Sequence, residues 1–135
     1  MRYLSYDEIL FIHSVVVDET GGSHGVRDQG ALLALEALPK QSAFGKEMYP
    51  TVFEKAALYI RNIIFSHPFI DGNKRSAMTS AAVFLEDNGY HIVVNKGEIE
   101  AFALSVIADH LELANIAAWL QKNSKKKRSG KKKSK

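Results

Sequence analysis

The sequence predicts an all-α protein, a compact single-domain bundle of about six helices joined by short loops. Three observations carry this reading. Apolar residues recur at three- and four-residue intervals along most of the chain, the period of helices with one buried face. Ser, Asp or Asn precedes several of these segments, twice with Glu three positions on, as helix starts require. A chain of 135 residues, 46% of them hydrophobic, makes one domain with a single core.

Ser5 with Glu8 forms a capping box for a helix running to about Val17. Gly21, Gly22 and Gly25 mark a turn, after which Asp28 caps a helix over residues 30–38. Residues 40–49, rich in Gln, Ser, Gly and Lys, read by themselves as a plain helix–helix connection, which a loop of this length fits. From near Thr51, the residues Val52, Phe53, Ala56, Ala57, Ile60, Ile63 and Ile64 trace a strongly apolar helix. A polar stretch interrupts the pattern at 67–75. Ala77, Ala81, Phe84 and Leu85 then carry a second buried helix that stops near Asn88 and Gly89. Residues 90–94 are β-rich in type and read as an extended connector. Asn95 and Glu98 make a second capping box, opening a helix with Ile99, Phe102, Ala103, Val106 and Ile107. A final helix over 111–122 presents Ile116, Trp119 and Leu120, with Trp119 read as core. The folded body is thus 1–122, followed by a basic, disordered tail, 123–135.

The polar stretch carries the chemistry. It places a base (His67), a carboxylate (Asp71), a flexible turn (Gly72), an amide (Asn73) and two cations (Lys74, Arg75) on a short loop feeding a helix N-terminus. Unpaired backbone N–H groups and the helix dipole favour an anion there, and phosphate is the usual one. Gly72 permits close backbone approach or positive φ. Asn73 suits either a phosphate oxygen or the loop itself. Lys74 offers a point charge and Arg75 a planar fork. Asp71 is a hard oxygen ligand of the kind Mg²⁺ takes beside nucleotide phosphates. An imidazole at 67 is placed to remove a proton from a hydroxyl, with Phe69 turned inward as the loop's anchor. An ordinary turn is the competing reading, with Asp71 simply capping the helix. Cations in a first turn oppose the dipole, however, and sit poorly there without an anion. His13, His24, His91 and His110 show no metal-ligand spacing, and His13 reads as packed.

Composition narrows the classes. No stretch reaches the 18 or so apolar residues of a membrane span, and no basic-then-apolar leader opens the chain. Zero cysteines exclude disulfides and thiol chemistry and suit a cytoplasmic protein. The tail holds 8 of the 18 basic residues, which leaves residues 1–123 at net −5 in a chain of net +3. The body is therefore not a nucleic-acid binder by its field; the tail would touch nucleic acid or anionic lipid weakly and in a salt-dependent way, and a solvated tail with no dedicated role is the competing reading.

His67, Phe69, Asp71, Gly72, Asn73, Lys74 and Arg75 match the signature His-x-Phe-x-(Asp/Glu)-(Gly/Ala)-Asn-(Gly/Lys)-Arg of the Fic/Doc family. The opening Leu-Ser-Tyr-Asp-Glu at 4–8, the Gly21-Gly22 turn and the run from Arg75 to Ala81 resemble its Doc ("death on curing") branch. The likeness spans about residues 1–122, a Fic/Doc-like catalytic domain. It implies that His67 is the general base on a target protein's hydroxyl and that Asp71 holds Mg²⁺ on the phosphates of ATP. Backbone N–H groups at Gly72 and Asn73, with the Asn73 side chain, would form an anion nest. Lys74 and Arg75 would grip phosphate oxygens, and residues 40–49 would be a short flap loop that pairs with an extended target segment.

Two branches of the family use this scaffold differently. The AMP-transferring branch has Gly where this chain has Lys74 and a second Arg where it has Met78. The Doc branch has Lys and an apolar residue at those positions, as here, and resembles a kinase acting on translation elongation factor Tu. Doc itself has Ala where this chain has Gly72, the AMP-transfer residue. Two of three positions thus imply phosphate transfer, with AMP transfer the alternative. The family's internal inhibitory pattern, (Ser/Thr)-x-x-x-Glu-(Gly/Asn), does not occur, which implies restraint by a separate antitoxin chain. A non-catalytic nucleotide- or partner-docking module is the remaining class, and a complete His-Asp-Asn-Arg set argues against it.

Overall fold

Side-chain oxygens start four of the six helices seen among residues 1–127, the residues described by the computed structural model. Ser5 caps α1 (Tyr6–Thr20) and Thr51 caps α3 (Val52–Ser66), each in a full capping box, with Glu8 and Glu54 reaching back. Asp28 caps α2 (Gln29–Ala37), which begins one residue earlier than expected. Asn95 caps α5 (Lys96–Ala108) by accepting the Glu98 N–H, but Glu98 does not reciprocate, so the predicted second box is half formed. No side chain caps α4 (Asn73–Asp87) or α6 (Leu113–Lys122).

The architecture is all-α, with two small two-stranded sheets at the periphery. Helix α3 is its axis and packs chiefly on α4 and α6. Its run Ala56, Ala57, Leu58, Tyr59, Ile60 and Ile63 is completely shielded from solvent. At about 1.5–3 kcal/mol for each large apolar side chain buried, that helix supplies much of the folding drive. The Tyr59 hydroxyl accepts the Leu4 N–H at 3.3 Å, tying the N-terminal segment to the core. Burial pushes its phenol up to about 12, so it stays protonated. Trp119 is half-buried and stacks on Phe102 at 4.0 Å.

Two segments differ from the sequence reading. The flap is a hairpin, with β1 (Ser42–Ala43) antiparallel to β2 (Lys46–Glu47). Phe44 and Gly45 at its tip both take positive φ, as a tight two-residue turn demands. Residues 90–94 were expected as an extended connector and residues 123–135 as a disordered tail. Instead β3 (Tyr90–Ile92) pairs antiparallel with β4 (Ser124–Lys126). The Val93 N–H also bonds to the Asn123 carbonyl, and the Lys127 N–H to that of Gly89. The reason is local: after α4, extended β-type residues present free backbone groups, and the next extended segment satisfies them. Residues 128–135 of the expected tail lie outside the described residues.

The flap is fixed from below by a buried cation. Lys55 of α3 is 1% exposed, and its ammonium donates to the Pro39 carbonyl and the Glu47 carboxylate, each at 2.7 Å. A buried ammonium is tolerated only with such partners. Lys55→Met should therefore loosen the hairpin while sparing the core. Hydrogen exchange at the Met48 amide, which bonds to the Gln41 carbonyl, should speed up at least about tenfold with α3 amides unchanged. Equal protection of the hairpin in both proteins would count against this role.

Candidate functional site

Helix α3 ends at His67, which adopts left-handed φ 50° and ψ 58°. For a residue with a Cβ this conformation costs on the order of 1 kcal/mol, so something must hold it. Arg27 does so from outside. Its guanidinium donates to the Ser66 carbonyl at 2.7 Å and the His67 carbonyl at 2.8 Å, placing a cation on the negative end of α3. The backbone beside it continues the clamp. Pro68 accepts the N–H groups of Arg27 and Asp28, Val26 bridges Phe69, and the Ile70 N–H bonds to the Gly25 carbonyl at 3.0 Å. Gly25 is required here, since a Cβ would lie 2.8 Å from Ile70 Cγ1.

Asn73 holds the same loop from inside. Its buried amide accepts the Phe69 N–H at 3.0 Å and donates to the Phe69 carbonyl at 2.9 Å. That pairing fixes which end of the amide is nitrogen. The nitrogen also lies 3.2 Å from His67 Nδ1, which must therefore accept, leaving the neutral ring's proton on Nε2. Of the two roles open to Asn73, the structure shows the loop-orienting one.

Phe69 turns inward as expected, 1% exposed, and stacks on His13 at 3.7 Å with the rings 5° apart. His13 is packed, as read from sequence, but it is also bonded, with Nε2 at 2.8 Å from the Asp71 carbonyl. Burial lowers its pKa, against an opposing pull from that carbonyl. Asp71 does not cap α4. Its carboxylate accepts the Ser23 N–H at 2.7 Å, and Gly72, at φ 77°, is the residue that precedes the helix. Arg27, Gly25 and His13 were not singled out from sequence for the site. No short-range signal marks them, because their partners stand some 40 to 60 positions away.

A cleft of about 520 Å³ opens over the start of α4, within the range of small-molecule sites. Gly72, Asn73, Lys74 and Arg75 line it, with Met78 and Thr79 farther along the helix. The facing wall is α5, through Lys96, Ile99, Glu100 and Leu104. His67 and Asp71 are exposed on the adjoining loop and are not part of the lining. The structure thus brings four of the six predicted site residues into one wall and leaves two on its shoulder. Arg75 forms an ion pair with Glu100 at 3.2 Å, both partly exposed, a contact weak enough to exchange for a phosphate. The α4 start has no side-chain cap and carries two cations at its positive end, so the local electrostatics favour an anion.

For Mg²⁺, the described residues hold no group of three or more His, Asp or Glu side chains close enough to bind a metal ion. Asp71 keeps one carboxylate oxygen beyond the one taken by Ser23. That donor set fits an ion bound through one carboxylate with phosphates and water completing the shell.

Two outcomes follow from this geometry. Asn73→Ala removes three hydrogen bonds from a buried amide and strands the Phe69 backbone, which should lower stability by about 2–3 kcal/mol in urea unfolding. A loss under about 1 kcal/mol would mean that the outer clamp alone holds the loop. His13 binds a proton less readily folded than unfolded, so stability should rise with pH up to about 6.5, its unfolded value, and level off above. His13→Phe should flatten that acid limb; an unchanged profile would place its origin elsewhere.

The Fic/DOC family model matches residues 3–85, well over half of the chain. The chain is 34% identical over 121 residues to "Toxin Doc" of Mycolicibacterium smegmatis (strain ATCC 700084 / mc(2)155), covering 88% of this chain and 91% of that protein. It is 28% identical over 122 residues to "Protein kinase doc" of Escherichia phage P1, covering 90% and 95%. The signature loop, its clamp and these likenesses together show that the chain belongs to the Fic/Doc family, in its Doc branch.

Proposed function

We propose that the chain is the toxin of a toxin–antitoxin pair, an ATP-dependent phosphotransferase that modifies a hydroxyl of a target protein. One observation carries the reading: Gly72 to Arg75, an uncapped and doubly cationic helix start, form one wall of the cleft. That wall suits a polyphosphate. Lys74 and Arg75 would hold phosphate oxygens, Arg75 after leaving Glu100, and Asp71 would hold Mg²⁺, which when bound neutralises phosphate charge.

In the transfer, the target oxygen would bond to the γ-phosphorus as the bond to the β–γ bridging oxygen breaks, and ADP departs. The hydroxyl proton would go to His67. The unprotonated nitrogen of that ring is Nδ1, which faces Asn73, so base action requires this contact to open when substrate enters. The exposed ring has room to turn. The β1–β2 hairpin would serve as the flap, offering an edge to an extended target segment.

Phosphate rather than AMP transfer is favoured by Lys74 and by Met78, whose apolar side chain lines the cleft where the AMP branch has a second Arg. The relative's name, "Protein kinase doc", supports the same choice. Gly72, the residue of the AMP branch, relaxes the constraint a Cβ would impose and so permits either mode, which keeps AMP transfer as the alternative. Elongation factor Tu is the target this reading names, and an antitoxin chain the partner that restrains it.

The test is incubation with lysate and ATP labelled at the α- or the γ-phosphate. Retained γ-label on a protein near the size of elongation factor Tu, reduced about 10²–10⁴-fold in His67→Ala, is the expected result. Retained α-label would establish AMP transfer instead. Neither label on protein, with growth arrest equal in both variants, would point to docking without chemistry.

A further inference from the structure

Resting on the nucleotide reading above, we infer that His13 of α1 is a positioning residue for phosphate binding. Through the Asp71 carbonyl it aims the Gly72 amide N–H away from α1, toward the bound anion.

The chemistry of the contact fixes its direction. A carbonyl oxygen only accepts, so His13 Nε2, 2.8 Å from it, carries the proton. The described residues include no cis peptide bond, and in a trans peptide the N–H points opposite to the C=O. With the Asp71 carbonyl turned down onto His13, the Gly72 N–H must therefore point the other way. A Cβ built at Gly72 would meet Val17, Val16 and His13 of α1 at 3.5–3.7 Å. Gly72 also lines the cleft, which α1 touches only through Thr20, at the far end of the helix from His13.

The constraint matters because glycine makes this peptide easy to flip. At Gly72 both signs of φ are accessible, so without a donor beneath it the Asp71–Gly72 unit could turn its carbonyl toward the ligand. A carbonyl dipole facing phosphate repels where an N–H would attract. His13 is itself packed in place, 2% exposed and stacked on Phe69, which restricts where its donor can point. The neighbouring His24 meets it edge-on at 6.5 Å and pairs with Asp18, away from the carbonyl.

The experiment is a titration of the ¹⁵N-labelled full chain with Mg-ATP, followed by NMR and calorimetry. It compares the wild type with His13→Phe, which keeps the stack but loses the donor, and His13→Gln, which restores a side-chain N–H. The expected result is a downfield shift of the wild-type Gly72 amide on binding. His13→Phe should fold, bind about tenfold more weakly and lose that shift, and His13→Gln should recover most of both. Undiminished binding by a folded His13→Phe would overturn the inference, as would a folded His13→Gln no better than the Phe variant. Wild-type binding without movement of the Gly72 amide overturns it even if no variant folds. No wild-type binding at all would instead sink the nucleotide reading, and this inference with it.

Discussion

The amide of Asn73 is the contact on which the site depends. Between α3 and α4 the chain reverses direction within six residues, leaving the end of one helix and the start of the next with unpaired backbone groups. Asn73 takes both backbone groups of Phe69 into one buried amide and so closes the loop into a ring. Phe69 is thereby set against His13, Asp71 is brought over the His13 donor, and Gly72 enters the helix in its left-handed turn. Each step needs the previous one. Serine or alanine at 73 has no carbonyl and N–H₂ at the required separation, which explains in physical terms why an Asn belongs there.

The outer clamp answers a different need. Residues 23–28 add backbone bonds to Pro68, Ile70 and Asp71, and Arg27 covers the last carbonyls of α3. This is exposed structure and adds less stability per bond than the buried amide does. Its value is orientation, because a strained residue such as His67 holds its geometry only where its surroundings over-determine it. The cations of α4 show the same preference for function over local stability. Lys74 and Arg75 sit at the wrong end of a helix dipole, and only Arg75 has a carboxylate partner, Glu100, among the described residues. A fold seeking only stability would place Asp or Glu there.

Much of this was legible in the sequence because it is local. Caps at Ser5 and Asp28, the apolar period of α3 and α4, and the loop between them are all short-range patterns. The resemblance then supplied the family that the comparisons show. The clamp, the His13 donor, the buried Lys55 and the β3–β4 pair were hidden for one reason: each joins distant segments through groups that look ordinary where they stand. Lys55 lies in an apolar run and reads as a solvated interruption, yet Pro39 and Glu47 make its burial tolerable. Asn73 was seen, but whether its amide faced a ligand or its own loop depended on where the Phe69 backbone ran.

The same amide links the loop's rigidity to the ring that would do the chemistry. Asn73 spends its second N–H on His67 Nδ1, so the structured loop and the parked imidazole share one residue. Releasing the ring costs a single hydrogen bond at the solvent-facing side, while the two bonds to Phe69 remain. The ring is therefore the cheapest part of the site to move, and the backbone that would meet the phosphates is the dearest. That ordering would suit the proposed transfer: anion-binding groups would stay fixed to neutralise charge, and the proton acceptor would swing when a hydroxyl arrives.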